Sequence, residues 1–156
     1  MLEKAGAEVL AERERTAARV RDELAAAGLP LVAPGLSHGV EVTVDPFADG
    51  AGGVYVSWRS SPRLQSRVLR AAKLNLLDDP VLAQQGAVLQ AMLAAVTAIL
   101  EAAGFTVRDS LNDYAPCSLE VLAAPHGNPT WEPHEEEAAG SRQPDSSPGE
   151  SASRPD

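Results

Sequence analysis

The chain has 156 residues, enough for one domain or for one domain with an appendage. Hydrophobic residues make up 44% but aromatics only 4%, so a core must be built from Leu, Val, Ile and Ala, and an aromatic surface for stacking bases is missing. Net charge −9 and a pI near 4.8 argue against whole-surface attraction to nucleic acid or to an anionic membrane.

The single cysteine, Cys117, cannot close an internal disulfide. The first residues, MLEKAGAEVLAERER, lack the basic segment and apolar run of a signal peptide. The most apolar stretch, Ala91 to Leu100, is far shorter than a membrane span, and extending it back to Val81 brings in Gln84, Gln85, Gly86 and Gln90. The expectation is a soluble cytoplasmic protein with no membrane partner. A preference for Arg over Lys, together with abundant Ala, suggests a bacterial genome rich in GC.

In chain order, a helix is predicted from Leu2 to Ala27, with Val9, Leu10, Ala17, Val20 and Leu24 as a thin apolar stripe. Gly28-Leu29-Pro30 is its stop: Gly28 suits the left-handed position and Pro30 cannot continue the helix. The alternations Val40-Glu-Val42-Thr-Val44 and Val54-Tyr-Val56-Ser-Trp58 predict two half-buried strands. The Gly-rich connection Asp45 to Gly53 joins them as an antiparallel hairpin. Val54, Val56 and Trp58 share one face of their strand; Tyr55, Ser57 and Arg59 share the other.

A second helix opens at Ser61-Pro62, with Ser61 as the cap, and ends near Leu76. A third opens at Asp78-Asp79-Pro80 and runs to about Ala103, where Gly104-Phe105 repeats the first stop. Val81, Val88, Met92, Ala95, Val96 and Ile99 line one side of it, Leu82, Leu89, Leu93 and Leu100 a neighbouring one, and Glu101 is its only charge. A helix this apolar is expected to be the central element of the domain or to meet another subunit. Phe105 to Arg108 and Cys117 to Val121 read as two further strands, the latter with Cys117, Leu119 and Val121 inward. The fold class is therefore α+β: a small antiparallel sheet of about four strands and three helices in the order α-β-β-α-α-β-β, over residues 1–124. From Pro125 to Asp156 the composition turns to Pro, Glu and Ser without apolar periodicity. It predicts an acidic disordered tail.

One charge feature stands out. Between Asp49 and Asp78 there is no acidic residue, while Arg59, Arg63, Arg67, Arg70 and Lys73 are present. The last four are spaced to share one helical face. They make a candidate partner-binding site for an acidic protein, a phosphate ligand or nucleic acid, set against the ordinary alternative of a solvated face. The tail's Glu135, Glu136 and Glu137 could occupy it transiently. The short link between the second and third helices permits a helix-turn-helix, but the third helix offers Ala, Leu and Val where a recognition helix needs polar side chains, which argues against reading DNA.

No catalytic constellation is found. The Gly-rich loop lacks the lysine and following helix of a phosphate cradle. His126, His134 and Glu135 to Glu137 have no fixed geometry for a metal, and His38 has no partner, so neither metal nor cofactor is expected. Cys117 reads as a small core residue, not a nucleophile. Asp109 and Asp113, sharing a loop, are the carboxylates to consider if the chain were an enzyme. Trp131 is either an incidental exposed ring or the anchor of a short linear motif. The expected role is a non-enzymatic protein-interaction or regulatory module, with self-association through the third helix and phosphate or nucleic-acid binding as the alternative.

Overall fold

The computed structural model describes residues 3–113 and 115–132. In chain order it contains α1 (Ala7–Ala26), β1 (Gly39–Asp45), β2 (Gly53–Arg59), α2 (Pro62–Lys73), α3 (Pro80–Ala102), β3 (Thr106–Asp109) and β4 (Leu119–Ala123). The fold is α+β with the expected element order. The strands form one antiparallel sheet, spatial order β1-β2-β4-β3, so β4 inserts between β2 and β3. The expected acidic tail lies outside the described residues from residue 133 onward.

Alternation decides the layers. Val40, Val54, Val56, Leu119 and Val121 point to one side of the sheet and pack against Ala17, Val20 and Leu24 of α1 and Val96 and Leu100 of α3, with Phe105 closing one end. The other side carries Glu41, Ser57, Arg59, Arg108 and Glu120 and faces solvent, the usual arrangement of an antiparallel sheet covered once. Tyr55 also points to that side yet is buried, because the 49–53 and 110–113 segments close over its ring and its hydroxyl donates to the Ala51 carbonyl at 2.6 Å.

All three helices end in the same way. The amide of Leu29 donates to the Leu24 carbonyl and that of Gly28 to Ala25; Phe105 donates to Leu100 and Gly104 to Glu101. Gly28 and Gly104 have φ of 85° and 90°, as this motif requires. The second helix stops identically at Asn75, φ 54°, with Leu76 donating to Ala71 and Asn75 to Ala72. It therefore ends at Lys73, short of the Leu76 expected, because Asn can take the left-handed position without glycine.

Two local expectations are corrected. Cys117 is exposed and is not on the inward face. Its φ of 56° places it in a turn, and β4 begins two residues later. The neighbouring Ser118 is buried instead, its hydroxyl donating to the Ala115 carbonyl at 2.6 Å. Ser61 occupies the start of α2 but its side chain makes no cap hydrogen bond; Pro62 alone marks that start. Asp79 does cap α3, its Oδ1 accepting from the Val81 amide at 3.0 Å.

The outer edge of β1 is covered. The Val32 amide donates to the Val40 carbonyl, the Val40 amide to Pro30, Arg21 to the Val42 carbonyl, and Arg13 to the carbonyls of Asp45 and Phe47 at 2.7 and 2.9 Å. Such coverage blunts an edge that would otherwise pair with another chain. Residues 125–132, assigned to the tail by composition, contact α1: Arg19 donates to the Pro125 carbonyl at 2.7 Å and the Trp131 indole to Glu23 Oε2 at 2.8 Å.

The third helix departs most from expectation. Only Val81, Val96 and Leu100 are buried along its 23 residues. By length and composition alone it is long and apolar enough to cross a membrane, with mean hydropathy 1.4 in spite of Gln84, Gln85 and Gln90. Every α3 residue in or against the core lies at or beyond Leu93. No residue of α2 belongs to the core, and α2 packs chiefly on α3. Thus α2 and Pro80 to Met92 form a helical hairpin standing off the domain.

Gly52 tests the account of the β1–β2 connection. A Cβ there would lie 2.0 Å from the Phe47 carbonyl oxygen and 2.7 Å from both terminal nitrogens of Arg13. Gly52→Ala should therefore cost about 2 kcal/mol or more in chemical denaturation, against the usual few tenths for a surface loop. An unchanged midpoint would show that the Arg13 clamp is not tight.

Candidate docking surface

The hairpin is built from a strongly amphipathic helix. Along α2, Leu64, Val68 and Ala71 recur at helical spacing and turn inward, and Ala71 is 2% exposed. Arg63, Arg67, Arg70 and Lys73 are exposed. Arg67 lies 3.9 Å from Asp79 Oδ2, a loose pair with a mostly exposed guanidinium. Arg63, Arg70 and Lys73 have no ion pair among the described residues. Arg70 and Lys73 also sit in the last turn, where positive charge complements the helix dipole.

The structure keeps four of the five expected residues together and separates the fifth. Arg59 is the last residue of β2, on the open side of the sheet, with its guanidinium 2.6 Å from Glu41 of β1. It is part of a cross-strand pair and not of the helical face.

Residues that sequence reasoning did not single out complete the surface. Leu69 and Leu74 are each 58% exposed, Leu76 47% and Leu77 75%. Leu69 and Leu74 line a shallow groove with Ser66, Arg70 and Lys73. A second groove, beside the Arg67–Asp79 pair, is lined by Arg63, Leu64 and Gln84 among others. The signal was present: Leu74-Asn-Leu76-Leu77 places three leucines in a helix connection, where polar residues are the rule. Along α3 the large apolar residues Leu82, Val88, Leu89 and Met92 are half-buried, and the opposite side exposes Ala83, Ala87, Ala91, Ala94 and Ala98. Exposed apolar side chains that cluster, as against scattered ones, mark an interaction site.

The other candidates are weaker. Asp113 lines a depression with Tyr55, Arg108, Leu111, Asn112 and Glu120; Asp109 does not. There Arg108 pairs with Glu120 at 2.7 Å and Asn112 Nδ2 donates to the Tyr55 hydroxyl at 3.3 Å. Among the described residues no nucleophile stands beside a base in this depression. No group of three metal-ligating side chains occurs among the described residues, and His134 and Glu135 to Glu137 lie outside them. His126 is exposed and His38 half-buried. Trp131 is held by Glu23 although 48% of it remains exposed.

Neither the protein-family models, nor the curated proteins, nor the solved structures compared with this chain give a match.

Asp79 joins the two arms of the hairpin, capping α3 through one carboxylate oxygen and facing Arg67 with the other. Asp79→Ala should lower stability by about 1 kcal/mol, the value of a helix cap, while Arg67→Ala should cost a few tenths. Equal losses from the two would show that the ion pair, and not the cap, carries the contribution.

Proposed function

We propose that this chain is a non-enzymatic protein-interaction module whose docking surface is the α2–α3 hairpin. The observation that carries this reading is the mismatch between composition and burial. The most apolar helix among the described residues has three buried residues, and the hairpin it forms adds four exposed leucines, Leu69 on α2 and Leu74, Leu76 and Leu77 at its tip. Covering one leucine side chain contributes about 1–2 kcal/mol. Four of them, two of which share a groove with Arg70 and Lys73, suffice for a specific contact of moderate affinity once the entropy of association is set against them.

The hairpin's chemistry fits protein better than nucleic acid. Its cations could meet phosphates, but α2 and α3 contain no aromatic residue on which a base could stack. Leucines between the cations would face the polar backbone of a nucleic acid without gain. They match instead the apolar anchors of an acidic amphipathic segment.

The reading is tested with a photo-crosslinking amino acid placed at Leu69 or Leu77 in the full chain, in living cells, with Thr43 on the open side of the sheet as control. Adducts to protein are expected from the two hairpin positions and not from Thr43. Absence of adducts at both, or equal adducts at all three, would overturn it.

A further inference from the structure

This inference rests on the docking role of the hairpin and names what docks there. We propose that the occupant is a second copy of this chain, with α2 of each protomer lying against the outer face of α1 of the other.

The argument begins with the arginines of α1. Its sequence mixes both charges, and Arg13, Arg19 and Arg21 would be expected to balance its acids. They do not face outward. Arg13 donates to the carbonyls of Asp45 and Phe47, Arg19 to Pro125 and Arg21 to Val42. The outward face is left with Glu8, Glu12, Glu14 and Asp22 among the small residues Ala11, Ala18 and Ala25. Arg15 is the one exposed cation of α1, and it is paired with Glu12. The result is a predominantly acidic face interrupted by Arg15, with Val9 48% exposed on its flank.

Its complement is α2, with four exposed cations and the exposed Leu69 and Leu74 between and beside them. Within one copy the two faces are kept apart. α3 packs against both α1 and α2, whereas α1 and α2 make no comparable contact with each other. Among the described residues the two faces do not meet within one copy, and a second copy supplies each with its complement. The exposed side of α3 does not oppose this pairing, for it offers alanines and glutamines with Glu101 as its only charge. Each copy carries one surface of each kind, so a two-fold pair buries both at once and closes.

The experiment is a charge exchange read by sedimentation of the full chain. The unmodified chain is expected to dimerise, and the dissociation constant to rise about tenfold between about 0.05 and 0.5 M salt, since exposed ion pairs are screened. Arg63→Glu with Arg70→Glu and Lys73→Glu should be monomeric, because α2 then carries more acids than cations and both faces are acidic. Glu8→Lys with Glu12→Lys and Glu14→Lys should be monomeric, because both faces are then basic. All six positions are exposed, and retention of the native circular dichroism spectrum and melting temperature checks the fold. An equimolar mixture of the two variants should recover the dimer, since each mixed pair restores opposite charges at both contacts.

A mixture that stays monomeric, or single variants that still dimerise, would overturn the proposal. So would an unmodified chain that is monomeric at high concentration. In that last case crosslinks from Leu77 to a species of different mass would leave the hairpin as a docking surface with another protein as its occupant. Absence of both results would remove the docking reading as well.

Discussion

The structure turns on a length mismatch. α3 has 23 residues and is about 34 Å long, whereas the longest strands beneath it have seven residues and span about 23 Å. The sheet is further narrowed by the short β3, of four residues. Only the part of α3 from Leu93 onward can reach the core formed with α1, β2 and β4. The preceding turns overhang, and α2 is the one element that covers them. Because α2 is itself one apolar stripe and one basic stripe, it covers a single side and leaves the tip leucines open. The hairpin also retains imperfections: Gln85 Oε1 on α3, and Ser60 Oγ at the root of α2, are buried without a partner among the described residues. Such atoms cost about 1–3 kcal/mol each. A hairpin so joined is among the less stable parts of a domain, the class from which binding elements are drawn.

A second constraint acts through backbone carbonyls. Covering the outer edge of β1 requires donors, and α1 supplies Arg13 and Arg21 for it while Arg19 holds Pro125. Together these contacts draw three arginines away from the outer side of α1 and leave Arg15 as its exposed cation. Charge separation between α1 and α2 is thus a consequence of how the sheet is protected. The net charge of the chain conceals it.

Much of the fold was legible in the sequence because its signals are local. The period of two in residues 40–44 and 54–58, the Pro at the first position of α2 and α3, and the glycine stops at Gly28 and Gly104 depend on nearest neighbours. What escaped depended on rarer or longer-range choices. Asn75 closes α2 by the same geometry as Gly28, but the asparagine carries the signal less plainly. Cys117 fits the alternation of β4 and is excluded only because the turn before the strand places it at positive φ. Arg59 reads as part of the basic stretch, just before its helix, until the pairing of β1 with β2 brings Glu41 beside it. The contact of Trp131 with Glu23 joins residues 108 apart in sequence, and no pattern announces it. For the docking surface, the four cations of α2 were readable from spacing. The three leucines of the α2–α3 connection carried a signal as well, whereas the exposure of Leu69 on α2 depends on which face of that helix α3 covers.

The central claim is that the hairpin is not completed by its own domain. Amide hydrogen exchange, measured segment by segment over a range of protein concentrations, addresses it directly. In dilute solution α2 and the Pro80–Met92 part of α3 should exchange much faster than Leu93–Ala102, and their protection should rise with concentration or with added partner. Uniform, concentration-independent protection along the whole of α3, and of α2 with it, would mean that the hairpin is stable without a partner and would contradict the account.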